Sequence, residues 1–238
     1  MSAASGWRQT VVPGFPPEKL HDDGLRDDWS RWDTPGRTVY IAGTLGTAFR
    51  ECLAWARMVP SHERKLGRLA APCDLEPDEV MREVAADFEK LGHLQPGHLP
   101  YSWRDSRLIH RITDPDSAGP WIDMEHQATL DALSLGPPSG VKAFTGREEF
   151  DRAATCSNDR DVTTRIAQWL RGMVLDDGTE AAGIRFRSRV GNGICRAYWM
   201  RRTDLGLAEV AHADAGREIR NREPSMETVT NAWGIRSW

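Results

Sequence analysis

Between residues 184 and 190 the chain reads Ile-Arg-Phe-Arg-Ser-Arg-Val, with apolar and basic positions alternating at period two. That is the period of a half-buried β-strand, in which successive side chains point to opposite faces. Ile184, Phe186, Ser188 and Val190 then share one face, and Arg185, Arg187 and Arg189 share the other. Ser188 is the single polar residue on the apolar face. The β-branched and aromatic run "RTVYIAG" (37–43) reads as a buried strand, and Trp7–Val12, "RLIHRI" (107–112), "GPWIDM" (119–124) and "ICRAYWM" (194–200) read as further strands. "GNG" (191–193) is a hairpin turn signal. Helical spacing appears first after Thr44, a predicted N-cap, with Leu45, Ala48, Cys52, Trp55 and Val59 as the apolar stripe and Glu51 on its border. Val80, Val84, Phe88 and Leu91 form a second stripe ending at Gly92. Ile166, Trp169, Leu170 and Met173 form another within 159–175. A short helix is predicted in "EHQATLDALSLG" (125–136) and one more near Leu205–Arg220.

The resulting order, β-β-α, a helical excursion at about 60–103, then β-β-α-α-β-β, predicts a mixed α+β domain rather than a doubly wound sheet. We read residues 1–238 as one domain with that insertion and a C-terminal extension at about 201–238. The 238 residues, 39% hydrophobic and with 10 tryptophans, are enough for one sizeable core.

The net charge of −4 argues against a protein built on nucleic acid, which needs a basic footprint, although a local patch remains compatible. Cys52, Cys73, Cys156 and Cys195 are scattered and form no CxxC pair or zinc spacing, so no metal is expected and a reduced, cytoplasmic protein is. The N-terminus lacks an apolar signal region and no stretch is long enough to span a membrane. Common nucleotide-binding, zinc-protease and hydrolase motifs are absent, and the seven histidines are dispersed. Asp123 and Glu125 are close, but Asp123 ends a strand, where a turn or capping role fits better than acid–base work.

One ordered set of motifs carries chemistry. Ser30-Arg31-Trp32-Asp33-Thr34-Pro35-Gly36 is followed by Val39-Tyr40-Ile41-Ala42, then Ala48-Phe49-Arg50-Glu51, and much later Gly183-Ile184-Arg185-Phe186-Arg187-Ser188-Arg189. With "WIDMEHQATLDAL" (121–133) and "TTRIAQWL" (163–170) between them, this resembles the RES domain, a family named for its Arg, Glu and Ser, over roughly residues 7–200. The chain departs from the family pattern in three places: Ser30 replaces a glycine, Phe186 a tyrosine and Arg187 a proline. The resemblance implies an ADP-ribosyltransferase-like β core, NAD as substrate, and in several family members a toxin restrained by a cognate antitoxin. It also implies cleavage of the nicotinamide N-glycosidic bond, with water, phosphate or a macromolecule as acceptor.

The implied roles suit the residue types. Glu51 would stabilise the positive charge that develops on the ribose C1. Arg31 would fork onto the pyrophosphate, with Arg8 as a second phosphate ligand. Tyr40 would stack on nicotinamide or hydrogen-bond the substrate, and Ser188 would bind the ribose or the carboxamide. On the residues alone, Glu51 reads as a solvated helix position, Arg31 as a surface ion-pair partner, Tyr40 as core and Ser188 as a satisfied buried hydroxyl; the ordered match is what turns them toward a site. Three functions stay open: an NAD glycohydrolase or phosphorylase; an ADP-ribosyltransferase acting on a protein or nucleic acid; and a non-enzymatic module that binds through the arginine-rich hairpin. The balanced charge of 201–238 suits a partner's docking helix and a homo-oligomer contact alike.

Overall fold

The computed structural model describes residues 6–10, 18–19, 26, 29–90, 96–113, 115–135 and 149–237. β2 (Thr38–Ala42) is its organising strand. Val39 and Ile41 point to one face, where they pack with Ile112, Ala182, Tyr198 and Met200. Tyr40 and Ala42 point to the other, among Trp32, Phe186, Cys195 and Trp199. A strand apolar on both faces must be central, and β2 lies between β7 (Ile194–Trp199) and β1 (Gly6–Thr10), antiparallel to both. Among the described residues the sheet runs β5 (Trp121–Asp123), β6 (Gly183–Arg187), β7, β2, β1, β4 (Leu108–Thr113) and β8 (His212–Ala213), with β9 (Arg217–Glu218) also paired to β4. Only β5 and β6 are parallel in it. The fold is therefore mixed α+β, as the order of elements predicts. Val12 and the end of the first predicted strand lie outside the described residues.

Helix α1 (Leu45–Leu53) starts where predicted, with the Thr44 hydroxyl accepting from the Thr47 N–H at 3.1 Å. Its buried face is rotated from the predicted stripe. Thr47, Ala48, Phe49 and Leu53 are buried, while Leu45, Cys52 and Trp55 are only half-buried. The rotation arises because α1 is wedged between two cores. Ala48 meets the sheet. Phe49 and Leu53 meet a second core of Leu99, Trp103, Ile109, Ile219, Met226, Val229 and Ile235.

The 60–103 excursion holds α2 (Pro60–Ala70), α3 (Pro77–Lys90), β3 (His98–Leu99) and α4 (Tyr101–Asp105). Val80 is buried and Val84 half-buried; the Phe88 side chain, Leu91 and Gly92 are outside the described residues. α5 (Gln127–Leu135) occupies the predicted short helix. After α6 (Arg152–Thr155), α7 (Arg160–Arg171) lays Val162, Ile166, Ala167 and Leu170 on the sheet, with Trp169 and Met173 half-buried at its margin.

The predicted helix near Leu205–Arg220 does not form. The segment instead follows α8 (Arg201–Asp204) as a loop with β8 and β9, and the last helix is α9 (Pro224–Trp233). Gly206 and Gly216 adopt left-handed backbone (φ 75° and 78°), which breaks helical propagation, and the open edge of β4 recruits the intervening residues as strands. Beyond α9, β10 (Arg236–Ser237) runs parallel to β3. The C-terminal extension thus closes the second core beneath α1 rather than standing apart. Asp123 plays the predicted turn role: its carboxylate accepts from the Glu125 N–H at 2.9 Å and pairs with Arg185.

Candidate functional site

Where α1 leaves β2 the molecule opens into a pocket of about 480 Å³, within the range of small-molecule sites. Tyr40, Ile41 and Ala42 of β2, Phe186 and Cys195 form its base, and Ala48, Glu51 and Cys52 of α1 form a wall. Arg31, Arg160 and Arg189 complete the lining. Three of the five predicted residues, Arg31, Tyr40 and Glu51, meet here.

Arg31 sits in a tight turn built by its neighbours. The Asp33 N–H donates to the Ser30 carbonyl at 3.1 Å, and the Asp33 carboxylate accepts from the Ser30 N–H at 2.8 Å. The Tyr40 hydroxyl accepts from the Trp32 N–H at 2.8 Å and donates to the other Asp33 oxygen at 3.1 Å. Trp32, 1% exposed, pins the turn against Phe186 with ring centroids 6.0 Å apart. Arg171 holds the following residues by bonds to Thr34 and the Pro35 carbonyl, and it also pairs with Asp204.

The turn delivers the Arg31 guanidinium over the Phe186 ring at 4.6 Å and the Trp32 ring at 5.2 Å. The residue is only 8% exposed, and its Nη1 is buried with no hydrogen-bond partner among the described residues. Burial draws the guanidinium below its ordinary pKa, and the Arg189 charge acts the same way, whereas Glu51 opposes it. An arginine remains charged under such a shift. A buried cation with an idle donor is costly unless an anion meets it.

Tyr40 presents its ring to the pocket, edge-on to Phe186 at 77°. Its hydroxyl is committed to the Arg31 turn. Burial, then the Asp33 carboxylate, push that phenol well above its ordinary pKa. Burial likewise raises Asp33, against the pull of its two donors. Glu51, in the last turn of α1, is exposed and lines the pocket.

Ser188 is buried, as the alternation predicts, but β6 ends at Arg187. The Ser188 hydroxyl accepts from the Val190 and Gly191 N–H groups at 3.2 and 3.0 Å, folding a six-residue loop that spans 188–193. Its neighbours Arg189 and Val190, and not Ser188 itself, line the pocket. The "GNG" glycines serve close approach more than a two-residue turn. A Cβ on Gly191 would strike the Arg50 side chain, and one on Gly193 would strike Thr47, so the loop packs directly on α1. Arg8 lies in β1, paired in register with His110; its side chain is outside the described residues.

Sequence reasoning missed Phe186, noted there only as a departure, and the pocket roles of Arg160 and Arg189. Arg189 lies beyond the end of the strand and stays exposed while lining the pocket, and its Nη1 bonds the Asn158 side-chain oxygen at 2.6 Å. The other hairpin arginines are engaged: Arg185 with Asp123, Arg196 with Asp116, Arg202 with the Ala208 carbonyl. Those pairings leave the hairpin poorly suited to a run of phosphates. Cys52 and Cys195 line the pocket as thiols pushed up to about 12, by burial first and the Glu51 charge second. Neither supplies a thiolate nucleophile near neutral pH.

No protein-family model and no curated protein matches the chain. Among solved structures it is similar to the crystal structure of the M. tuberculosis MbcT–MbcA toxin–antitoxin complex, at 12% identity and a TM-score of 0.38, over 98% of this chain and 90% of that one. Likeness at that level carries no argument about function, which rests instead on the site. No helix among the described residues is long and apolar enough to cross a membrane.

Proposed function

We propose that the protein is an NAD-consuming enzyme that breaks the bond between nicotinamide and ribose and passes the ribosyl carbon to water or phosphate. The observation that carries this reading is the buried Nη1 of Arg31, without a partner among the described residues, in the same pocket as the Glu51 carboxylate. An anion receptor and a fixed negative charge in one pocket suit a substrate that carries phosphate at one end and develops positive charge at the other.

Arg31 binds the pyrophosphate, completing its hydrogen bonds. Phe186 and the Tyr40 ring offer apolar faces to the nicotinamide. As the glycosidic bond breaks, its electron pair passes to the ring nitrogen, nicotinamide leaves neutral, and positive charge spreads over C1 and the ribose ring oxygen. Glu51 stabilises that charge, a contribution of about 3 kcal/mol for a preorganised group of this kind. A water or phosphate oxygen then bonds to C1; in the hydrolytic case the water proton is released. Ser188 acts by holding the loop that carries Arg189. The ADP-ribosyltransferase-like core belongs to the same proposal, as does a restraining antitoxin, which would have to cover the pocket mouth.

Chromatography of NAD incubated with purified protein, with and without phosphate, tests the reading. Nicotinamide should appear, and Glu51→Gln should lower turnover about 100-fold or more with an unchanged far-UV circular dichroism spectrum. NAD left intact under both conditions refutes it. Isotope from labelled NAD found on a macromolecule would move the assignment to transferase.

A further inference from the structure

The pocket carries more positive charge than one phosphate needs. Arg31, Arg160 and Arg189 line it against the single carboxylate of Glu51, a net charge of +2 among its lining residues. Two of the three guanidinium groups also have idle donors. Arg31 Nη1 and Arg160 Nη1 are both buried without a partner among the described residues, whereas Arg189 Nη1 is held by Asn158. Arg160 opens α7 and lines the pocket. Asp33 lies close enough to feel the Arg160 charge, but both its oxygens are occupied by Ser30 and Tyr40.

We propose that Arg160 and Arg31 form a two-armed diphosphate subsite, each guanidinium taking one of two linked phosphates, so that the pocket selects dinucleotides and diphosphates over monophosphates. A diphosphate diester carries two negative charges, matching the lining, and offers an oxygen to each idle donor. A mononucleotide would leave one buried guanidinium unmet, and a site with an unmet buried polar group discriminates strongly against the ligand that leaves it so. This deepens the NAD reading and rests on it for the nucleosides at either end; the diphosphate preference itself does not require cleavage.

The test is calorimetric titration of the full chain with ADP-ribose, nicotinamide mononucleotide, inorganic pyrophosphate and inorganic phosphate, for wild type, Arg160→Gln and Arg160→Lys. Wild type should bind ADP-ribose and pyrophosphate at least 10-fold more tightly than the corresponding monophosphates. Arg160→Gln should weaken the two diphosphates about 10- to 100-fold, the size of a lost charge-assisted bond, and leave the monophosphates within about 3-fold. Arg160→Lys should recover part of the loss, which a folding defect would not allow. In turnover, Arg160→Gln should raise KM for NAD more than it lowers kcat. Equal loss for mono- and diphosphates, or none, overturns the proposal. A protein that binds pyrophosphate through Arg160 yet leaves NAD intact refutes the cleavage reading alone. One that cleaves NAD with Arg160→Gln unaltered refutes the subsite alone.

Discussion

Replacing Tyr40 with phenylalanine separates a tyrosine that touches substrate from one that builds the site. The ring stays, so any stacking in the pocket stays. What goes is one oxygen that accepts from the Trp32 N–H and donates to Asp33. Trp32 and Asp33 are 1% and 7% exposed, so water cannot readily replace the missing partner. An unsatisfied buried group costs about 1–3 kcal/mol, and two of them sharing some relaxation should cost about 2–4 kcal/mol. For a chain of this size that lowers Tm by roughly 5–15 °C. The control is Arg31→Ala. It removes a desolvated charge with an idle donor and should shift Tm far less while abolishing NAD consumption. Thermal unfolding by circular dichroism and nicotinamide release, measured on both variants, give the two readouts. If Tyr40→Phe keeps its Tm within about 1 °C of wild type and still loses turnover, the hydroxyl acts on substrate and the positioning argument is wrong.

Three further outcomes follow from the same geometry. Iodoacetamide at pH 8 should modify Cys73 and Cys156, both exposed, and spare Cys52 and Cys195, whose thiols are raised to about 12, until denaturant is added; mass spectrometry of the native protein showing either pocket thiol alkylated would contradict this. Gly193→Ala drives a methyl into Thr47 and should destabilise by about 1–3 kcal/mol in urea unfolding while lowering turnover through displacement of α1; unchanged values for both would show that the loop yields freely. Because burial raises Asp33 above 3.8, its contribution to stability is fully present below that pH and is lost as pH rises through its folded value. The stability of wild type relative to Asp33→Asn should therefore decline as pH rises from about 3.8, and a difference that grows over that range would reverse the sign of the argument.

β2 and α1 were legible because their signals are local. A β-branched run ends on Gly43, and Thr44 supplies a cap within its own helix turn. Arg31, Tyr40 and Glu51 could be picked out only as an ordered set, since each type is common on surfaces and in cores. Arg160 could not be found that way: what makes it unusual is a buried nitrogen with no partner among the described residues, a property of packing and not of local sequence. Arg189 is exposed, as the alternation predicts, but its place in the pocket could not be read from alternation, because the strand stops where the loop docks on α1. The 205–220 segment failed for the same kind of reason, an open strand edge outweighing weak helical spacing.

The helix that carries Glu51 is supported from below by residues near the opposite end of the chain. Met226, Val229 and Ile235 lie against Phe49 and Leu53, and β10 joins β3. During synthesis, α1 leaves the ribosome long before that support exists, by about 10–40 s at ordinary elongation rates. Until residues 226–237 emerge, the underside of α1 is an uncovered apolar surface and the pocket wall that carries Glu51 lacks this support. A nascent chain that lacks residues 226–237 therefore exposes this apolar surface and needs shielding, and the Glu51 wall takes its position only when β10 joins β3.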